Sequence, residues 1–200
     1  MSADNQQGNT LFPIFVKLHQ LDVLVVGAGN VGLEKLSALL KNSPEANITV
    51  VADWVMPETR DYLQDFPQVT LIERKYEPTD LHNRDLVVCA TDNQGLHREI
   101  QEQARAQKIL INVADTPDLC DFYLGSIVRK GDLKIAISTN GKSPTLAKRM
   151  RQYFEAEIPK DIQGLLNNLH EFRNQLRGDF QHKLETLNAL TEQMVQRGKK

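Results

Sequence analysis

The chain has 200 residues, of which 40% are hydrophobic and 25% charged, and 24 basic and 26 acidic residues give a net charge of −2. These values are typical of a globular protein with an ordinary core, and they give no electrostatic reason to expect nucleic acid or an anionic membrane as a partner. No apolar run approaches the roughly 20 residues that span a bilayer. Residues 1–10 are polar and predict a flexible tail without a signal peptide, so we expect a cytoplasmic protein.

Strands and helices alternate through the first part of the chain. Apolar runs predict strands, and amphipathic segments between them predict helices. The strands are expected at 23–26, 48–52, 69–72, 86–90 and 109–113, and the helices at 31–41, 57–63 and 96–106. This alternation is typical of parallel strands joined by right-handed crossovers. We therefore predict the α/β class, with a Rossmann-type parallel sheet over residues 11–113.

The pattern changes after the fifth strand. Residues 122–128 and 133–138 are strand-like and flank a hairpin turn at 129–132. Ser143 is a good helix N-cap, and Pro144 suits the first helical position. Apolar residues then recur at helical spacing over 162–195, where Gly178 is expected to divide two helices. This predicts a small α+β region over 114–150 and a helical C-terminal region over 151–200, whose apolar stripe is typical of core or subunit contact.

The first strand runs directly into a G-x-G-x-x-G motif. Gly27 allows a tight turn, Gly29 lets the backbone approach a pyrophosphate, and Gly32 lets the helix pack against the strand. The helix N-terminus would then face the anion. A glycine turn that binds nothing is the alternative, but the strand before the motif and the helix after it are the required context. The motif predicts a nicotinamide dinucleotide site formed by Gly27, Gly29, Asn30, Val31 and Gly32.

Asp53 is the second candidate cofactor ligand. It lies 21 residues after Gly32 (53 − 32), near the end of the second strand. A carboxylate there can accept hydrogen bonds from the ribose hydroxyls and disfavours a 2′-phosphate, so it favours NAD over NADP. If the strand ends at Ala52, however, Asp53 is an ordinary solvated loop acid beside Trp54.

Thr91 and Asp92 follow the fourth strand. In doubly wound sheets, ligands bind outside the carboxyl ends of the strands, and small or hydroxyl side chains there let a cofactor pass close to the backbone. We predict that both residues contact the cofactor. Alternatively, Asp92 caps the helix that begins near Leu96, and the two roles are compatible.

Asp115 follows the fifth strand and is expected at the same sheet edge, where a nicotinamide ring would lie. A carboxylate in that place can act as a general base or acid. The residues alone leave a second interpretation open, a turn-forming aspartate before Thr116 and Pro117.

A group of cations surrounds the start of the later helix. Lys142, Lys148 and Arg149 lie near Ser143, and a helix N-terminus with nearby cations suits a polycarboxylate or a phosphate. The alternative is a solvated helix face.

No residue pattern predicts a metal site. The five histidines are scattered, and none lies at a metal-ligand spacing from another histidine or near a cysteine. We expect them to be solvated or capping residues. Cys89 is expected in the core and Cys120 in a loop, both as free thiols.

Several longer stretches together resemble one known family. They are, in order, Leu11–Phe15, Val25–Lys35, Ala90–Asn93, Asn112–Asp115, Phe122–Val128 and Gly131–Ala147. On these stretches the chain resembles the precorrin-2 dehydrogenase / sirohydrochlorin ferrochelatase family, the N-terminal module of siroheme synthases. It departs from the family at Gly125, where proline is frequent, and at Glu34, where arginine is frequent.

The resemblance implies a function. Members oxidise precorrin-2 to sirohydrochlorin with NAD, and many insert Fe²⁺ to give siroheme. They assemble as homodimers through a central region, so the resemblance implies a dimerisation region over 114–150. The catalytic aspartate of the family falls on Asp115, and we expect the tetrapyrrole carboxylates to meet Ser143, Lys142, Lys148 and Arg149. The alternatives are a dehydrogenase without chelatase activity and a non-catalytic NAD-sensing regulatory domain.

Overall fold

A five-stranded parallel sheet organises the first half of the chain. The computed structural model describes residues 8–176 and 180–196, and its sheet has the strand order β3-β2-β1-β4-β5. The strands are β1 (Asp22–Ala28), β2 (Asn47–Val55), β3 (Thr70–Glu73), β4 (Leu86–Cys89) and β5 (Leu110–Val113). The helices that connect them are α1 (Asn30–Asn42), α2 (Pro57–Leu63) and α3 (Gln94–Ala106). The predicted Rossmann-type sheet is therefore confirmed.

The core lies on both faces of this sheet. Successive residues of β1 are buried on alternate sides, because side chains of a strand point to opposite faces. Val23 and Val25 pack in one cluster with Leu36 and Leu40 of α1. Leu24 and Val26 belong to a second cluster, which contains Ile100 and Ala104 of α3 and Ile111 of β5. Cover on both faces explains why the central strands are continuous apolar runs.

The chain forms two compact units, Met1–Gly125 and Ser126–Lys200. The second unit has an antiparallel hairpin of β6 (Ser126–Lys130) and β7 (Leu133–Ile137), followed by α4 (Pro144–Glu157), α5 (Ile162–Gln175) and α6 (Phe180–Gln196). The strand predicted at 122–128 begins only at Ser126. Phe122 and Leu124 instead pack against the core of the first unit, so their apolar character reflects burial rather than a strand.

Gly131 and Asp132 form the two-residue turn of the hairpin. Lys130 pairs with Leu133, and Gly131 between them has φ +58, a left-handed conformation that favours glycine. Gln163 of α5 packs on this turn, accepting a hydrogen bond from the Asp132 amide at 2.7 Å and donating one to its carboxylate at 2.8 Å.

The helices of the second unit leave apolar side chains exposed. Ile162 is buried, but Leu165, Phe172 and Leu184 from the predicted apolar stripe are exposed. Two helices, α5 and α6, occupy this region, while Gly178 and the first residues of the predicted tail lie outside the described residues. Among the helices that the structure describes, none is both long and apolar enough to cross a membrane.

Candidate cofactor and catalytic site

The sheet order creates a crevice beside β1. This strand pairs with β2 on one side and β4 on the other, and the helices that follow β1 and β4 pack on opposite faces of the sheet. The chain therefore leaves the two strands toward opposite faces of the sheet, and this topological switch point is where doubly wound sheets bind ligands. The motif of 27–32 and residues 90–93 lie on its two sides.

Two glycines of the motif are required by packing. Gly27 has φ +106, and a Cβ added there would lie 2.6 Å from the carbonyl oxygen of Ala90 and 3.0 Å from the Cγ2 of Thr91. A Cβ on Gly32 would lie 2.9 Å from the carbonyl carbon of Gly27. The loops after β1 and β4 thus touch, and α1 packs directly on the turn before it.

Gly29 differs from both, because space around it is open. Among the described residues, a Cβ added there would meet only Trp54, at an ordinary 3.7 Å, so no contact in this part of the chain explains the glycine. Gly29 is the N-cap of α1, and neither a capping side chain nor an acidic residue occupies the first turn. The first amides of the helix can therefore bind an anion, and these residues fit a dinucleotide pyrophosphate.

Asp53 lies in an exposed bulge of β2. Val26 pairs with Val51, but Ala28 pairs with Val55, so the register shifts between these two pairs. The strand does not end at Ala52, and Asp53 and Trp54 are both exposed at its carboxyl half. The bulge turns the Asp53 carboxylate out of the core, which is compatible with the predicted contact to a ribose.

The residues after β4 are held by a network that the sequence did not predict. The Thr91 hydroxyl lies 2.9 Å from the Nε2 of His97 and accepts a hydrogen bond from the Asn93 amide at 3.3 Å. His97 is buried, which corrects the expectation of solvated or capping histidines. Burial lowers the pKa of His97, although Thr91 and Asp92 act in the opposite direction. The Thr91 side chain is thereby fixed beside Gly27.

The alternative role for Asp92 is wrong. The cap of α3 is Asn93, whose side-chain oxygen accepts a hydrogen bond from the Leu96 amide at 3.1 Å. Asp92 is exposed in the turn before the cap. Its carboxylate is therefore left for the predicted contact with the cofactor.

Asp115 lies in a left-handed turn directly after β5. Its φ is +56, a conformation that aspartate tolerates better than most residues. The side chain is exposed, and the structure shows no hydrogen bond or ion pair to it from a described residue of the first unit. Because β5 pairs in parallel with β4, Asp115 follows the carboxyl end of the strand next to the one that ends near Thr91. Both interpretations, the turn and the chemical group, are compatible with this geometry.

Cys120 fastens this turn. Its thiol lies 3.2 Å from the carbonyl oxygen of Val113 and 3.4 Å from that of Thr116, so it can bond to both sides of Asp115. The sulfur also accepts a hydrogen bond from the Val113 amide at 3.2 Å. Burial raises the pKa of Cys120, which keeps the thiol a donor. Cys89 is in the core as predicted, where burial raises its pKa to about 12, and both cysteines are free.

The predicted substrate-binding residues belong to the second unit. Ser143 caps α4, and its hydroxyl accepts a hydrogen bond from the Leu146 amide at 3.1 Å. Lys142, Lys148 and Arg149 are exposed, and Arg149 donates to the Gln152 side chain at 3.2 Å. Thr139 braces the loop by donating to the Ser143 carbonyl at 3.1 Å and accepting from its amide at 3.2 Å.

The structure thus gathers the predicted cofactor residues and Asp115 around one edge of one sheet. The sequence analysis assigned no role in this site to four residues that border it or stabilise its loops: Trp54, Asn93, His97 and Cys120. A buried histidine six residues after Thr91 gave no local signal, because its burial depends on how α3 packs. Over 8–176 and 180–196, no group of three or more potential metal-ligating side chains is found.

Comparison with known families agrees with the fold. A family model described as "Putative NAD(P)-binding" matches residues 14–126, more than half of the chain, and the chain belongs to this family. A second model, described as sirohaem biosynthesis protein central, matches residues 130–157. These matches cover the β1–β5 sheet and the region from the hairpin turn to the end of α4.

The sequence is also similar to siroheme synthases, which confirms the expected resemblance. It is 44% identical to the siroheme synthase of Pseudoalteromonas atlantica over 169 residues, which are 84% of this chain and 36% of the relative. It is 34% identical to that of Nitrosomonas europaea over 184 residues, 92% of this chain and 38% of the relative. The chain therefore spans about a third of the length of these relatives.

A solved structure shares the fold of nearly the whole chain. The structure titled SirC, precorrin-2 dehydrogenase, matches with a TM-score of 0.73 and 24% identity, over 90% of this chain and 89% of that one. This likeness supports the arrangement of a Rossmann-type sheet followed by a small antiparallel sheet and helices.

Proposed function

We propose that this chain is an NAD-dependent dehydrogenase that oxidises precorrin-2 to sirohydrochlorin in siroheme biosynthesis. The observation that carries the proposal is the pairing of an open glycine turn at Gly29 with an exposed carboxylate, Asp115, beyond the same edge of one sheet. The similarity to siroheme synthases over 84% of the chain supports the choice of a tetrapyrrole substrate.

The glycine turn holds the cofactor. Gly29, Asn30, Val31 and Gly32 present amides at the start of α1 to the pyrophosphate, while Gly27 lets the turn pass under Ala90. Asp53 accepts hydrogen bonds from the adenosine ribose, which favours NAD over NADP. Thr91 and Asp92 line the opposite side of the crevice. When bound, NAD supplies the acceptor for a hydride.

Asp115 takes the proton. Oxidation of the macrocycle removes a hydride and a proton, and an exposed carboxylate beside the macrocycle can accept that proton as a general base. The left-handed turn at φ +56 exposes this carboxylate. The Cys120 thiol contacts the carbonyl oxygens of Val113 and Thr116, on either side of Asp115, and so stabilises the turn. Asp115 therefore combines an ordered backbone with a side chain to which no described residue of the first unit forms a hydrogen bond, as a base requires.

The second unit binds the substrate carboxylates. Precorrin-2 carries acetate and propionate groups, and Lys142, Lys148 and Arg149 supply exposed cations that complement them. Ser143 contributes through the start of α4, since its cap orders the first turn. These roles follow from charge and from the helix N-terminus.

The substitution Asp115→Asn tests the chemical role. It keeps the shape of the turn but removes the base, so we expect the rate of NADH formation with precorrin-2 to fall by about 100-fold or more, with NAD affinity by calorimetry unchanged. Asp118→Asn is the matched control, because Asp118 is another exposed acid on the same loop. We expect its turnover to stay near that of the wild type.

Two outcomes would contradict the proposal. Near-normal turnover of Asp115→Asn would remove Asp115 from the mechanism. Tight NAD binding by the wild type, with no binding or oxidation of precorrin-2, would favour an NAD-sensing regulatory domain instead.

We also propose that the chain inserts Fe²⁺, as a substrate, into sirohydrochlorin. Siroheme contains iron, and the similar relatives are named siroheme synthases. Asp115 can accept the protons that leave the pyrrole nitrogens as iron enters. Sirohydrochlorin and Fe²⁺ without NAD should give siroheme faster than the uncatalysed reaction, and an equal rate would identify a dehydrogenase without chelatase activity.

We further propose that the chain works as a homodimer in the cytoplasm. The second unit exposes five large apolar side chains, and exposed apolar surface is a feature of subunit contacts. They are Leu146, Tyr153, Leu165, Phe172 and Leu184. The two free thiols fit a reducing compartment. Light scattering of the purified chain should give twice the 22.7 kDa chain mass, and the single-chain mass would exclude a stable dimer.

A further inference from the structure

An exposed tryptophan stands beside the glycine turn. Trp54 is the only tryptophan of the chain, and 62% of it is exposed to solvent. Its Cζ3 atom lies 3.7 Å from the position of a Cβ on Gly29. A large aromatic ring therefore borders the one glycine of the motif whose surroundings are open.

The backbone of β2 produces this exposure. Ala52 and Val55 are buried, while Asp53 and Trp54 between them are exposed. The register shift between the pairs Val26–Val51 and Ala28–Val55 places these two residues in a bulge. The Met56 amide then donates to the Ala28 carbonyl at 3.1 Å, which ties the far side of the bulge to β1. The Trp54 ring therefore projects from a bulge that is paired with β1 on both sides, and not from a free loop. Bulges of this kind re-aim side chains beside functional sites.

The neighbours of Trp54 identify the part of the dinucleotide that it faces. The acid near the end of the second strand meets the ribose that distinguishes NAD from NADP, and this is the adenosine ribose. Trp54 is adjacent in sequence to that acid, Asp53, and in space to Gly29. It therefore borders the adenosine half, on the β1–β2 side of the crevice, while Thr91 and Asp115 follow β4 and β5.

We propose that the indole of Trp54 is the platform on which the adenine ring of NAD stacks, next to the contact of Asp53 with the ribose. This inference rests on the proposed NAD site and adds a residue that determines cofactor affinity. Stacking of a base on an aromatic ring contributes roughly 1–3 kcal/mol by alanine substitution, which corresponds to about 5- to 150-fold in affinity.

The single tryptophan provides its own test. AMP and ADP-ribose should quench the fluorescence of the wild-type protein saturably, with the same Kd that calorimetry gives. Nicotinamide mononucleotide at equal saturation should leave the emission unchanged, because it lacks adenine. This readout needs neither the tetrapyrrole substrate nor turnover.

Substitutions complete the experiment by calorimetry with NAD. Trp54→Ala should weaken binding by about tenfold, and Trp54→Phe, which keeps a ring, should weaken it less. Leu110→Ala is the control, because Leu110 is an exposed apolar residue at the amino end of β5, and it should bind as the wild type does.

The two possible failures are distinguishable. If the wild-type chain binds no dinucleotide at all by calorimetry, the proposed function fails together with this inference. If it binds NAD, but Trp54→Ala binds within twofold of the wild type and adenine ligands leave the fluorescence unchanged, the NAD site stands and the role of Trp54 is wrong.

Discussion

The two units of the chain differ in how their apolar residues are used. In the first unit, β1 and β4 are buried on both faces between α1 and α3. In the second unit, Val128, Ala147 and Ile162 are buried, while several large apolar side chains of the helices are exposed. In the first unit, a hydrophobic core on both faces of the sheet thus supports the predicted cofactor crevice. The second unit exposes apolar and cationic side chains, which we propose contact a partner chain and the substrate.

Substitution of a motif glycine is expected to have the largest effect on the stability and NAD binding of the first unit. Gly32→Ala would place a Cβ 2.9 Å from the Gly27 carbonyl carbon, and such overpacking costs about 1–3 kcal/mol. We expect the melting temperature to fall by several degrees and NAD binding to be lost or strongly weakened. Calorimetric melting and NAD titration measure both effects.

Gly29→Ala is the matched variant with the opposite expectation. Its backbone has φ −82, which alanine adopts, and the added Cβ meets only Trp54 at 3.7 Å. Stability should change by less than about 1 kcal/mol, while NAD affinity falls because the Cβ occupies the approach of the pyrophosphate. Equal loss of stability in both variants would contradict the distinction between a packing glycine and a binding glycine.

The second unit should respond to the loss of a single cap. Ser143→Ala removes the acceptor for the Leu146 amide, and loss of such a cap costs about 1 kcal/mol. We expect faster hydrogen exchange at the start of α4 and a higher KM for the tetrapyrrole. Ser143→Asn, which can still cap, should restore the exchange rates. Unchanged exchange in Ser143→Ala would show that the cap does not order this helix.

The smallest expected effect concerns pH and the first unit. The pKa of His97 is lowered in the folded state, so the unfolded chain binds the proton first as the pH falls. The free energy of unfolding should therefore decrease below about pH 6.5, at no more than about 1.4 kcal/mol per pH unit for one proton. Denaturant titrations between pH 7.5 and about 5 measure this slope. His97→Gln should reduce it, and an unchanged slope would exclude His97 as its source.

The local sequence pattern was sufficient to predict most of the sheet. All five strands of the first unit and its three helices were predicted within a few residues, because buried parallel strands are apolar runs and the helices have recognisable starts. The G-x-G-x-x-G motif placed Gly27 and Gly32 correctly, since both are required by close backbone contacts.

Features that depend on strand pairing and packing were not predictable. The bulge that exposes Asp53 and Trp54 arises from the register of β2 against β1, which no single segment encodes. Asn93 and Asp92 are both good N-caps, and only the actual start of α3 decides between them. Phe122 and Leu124 suggested a strand because they are apolar, but they pack against core side chains rather than pairing with another strand. The sulfur contacts of Cys120 likewise follow from loop closure.

The central claim is that this chain oxidises precorrin-2 with NAD, and the most direct measurement is the stoichiometry of that reaction. Wild-type protein is incubated with precorrin-2 under anaerobic conditions, with and without NAD, while absorption spectra follow both products. We predict one NADH for each sirohydrochlorin formed and no catalysed oxidation without NAD. Sirohydrochlorin formation at the same rate without NAD, or NAD binding without any NADH, would contradict the account.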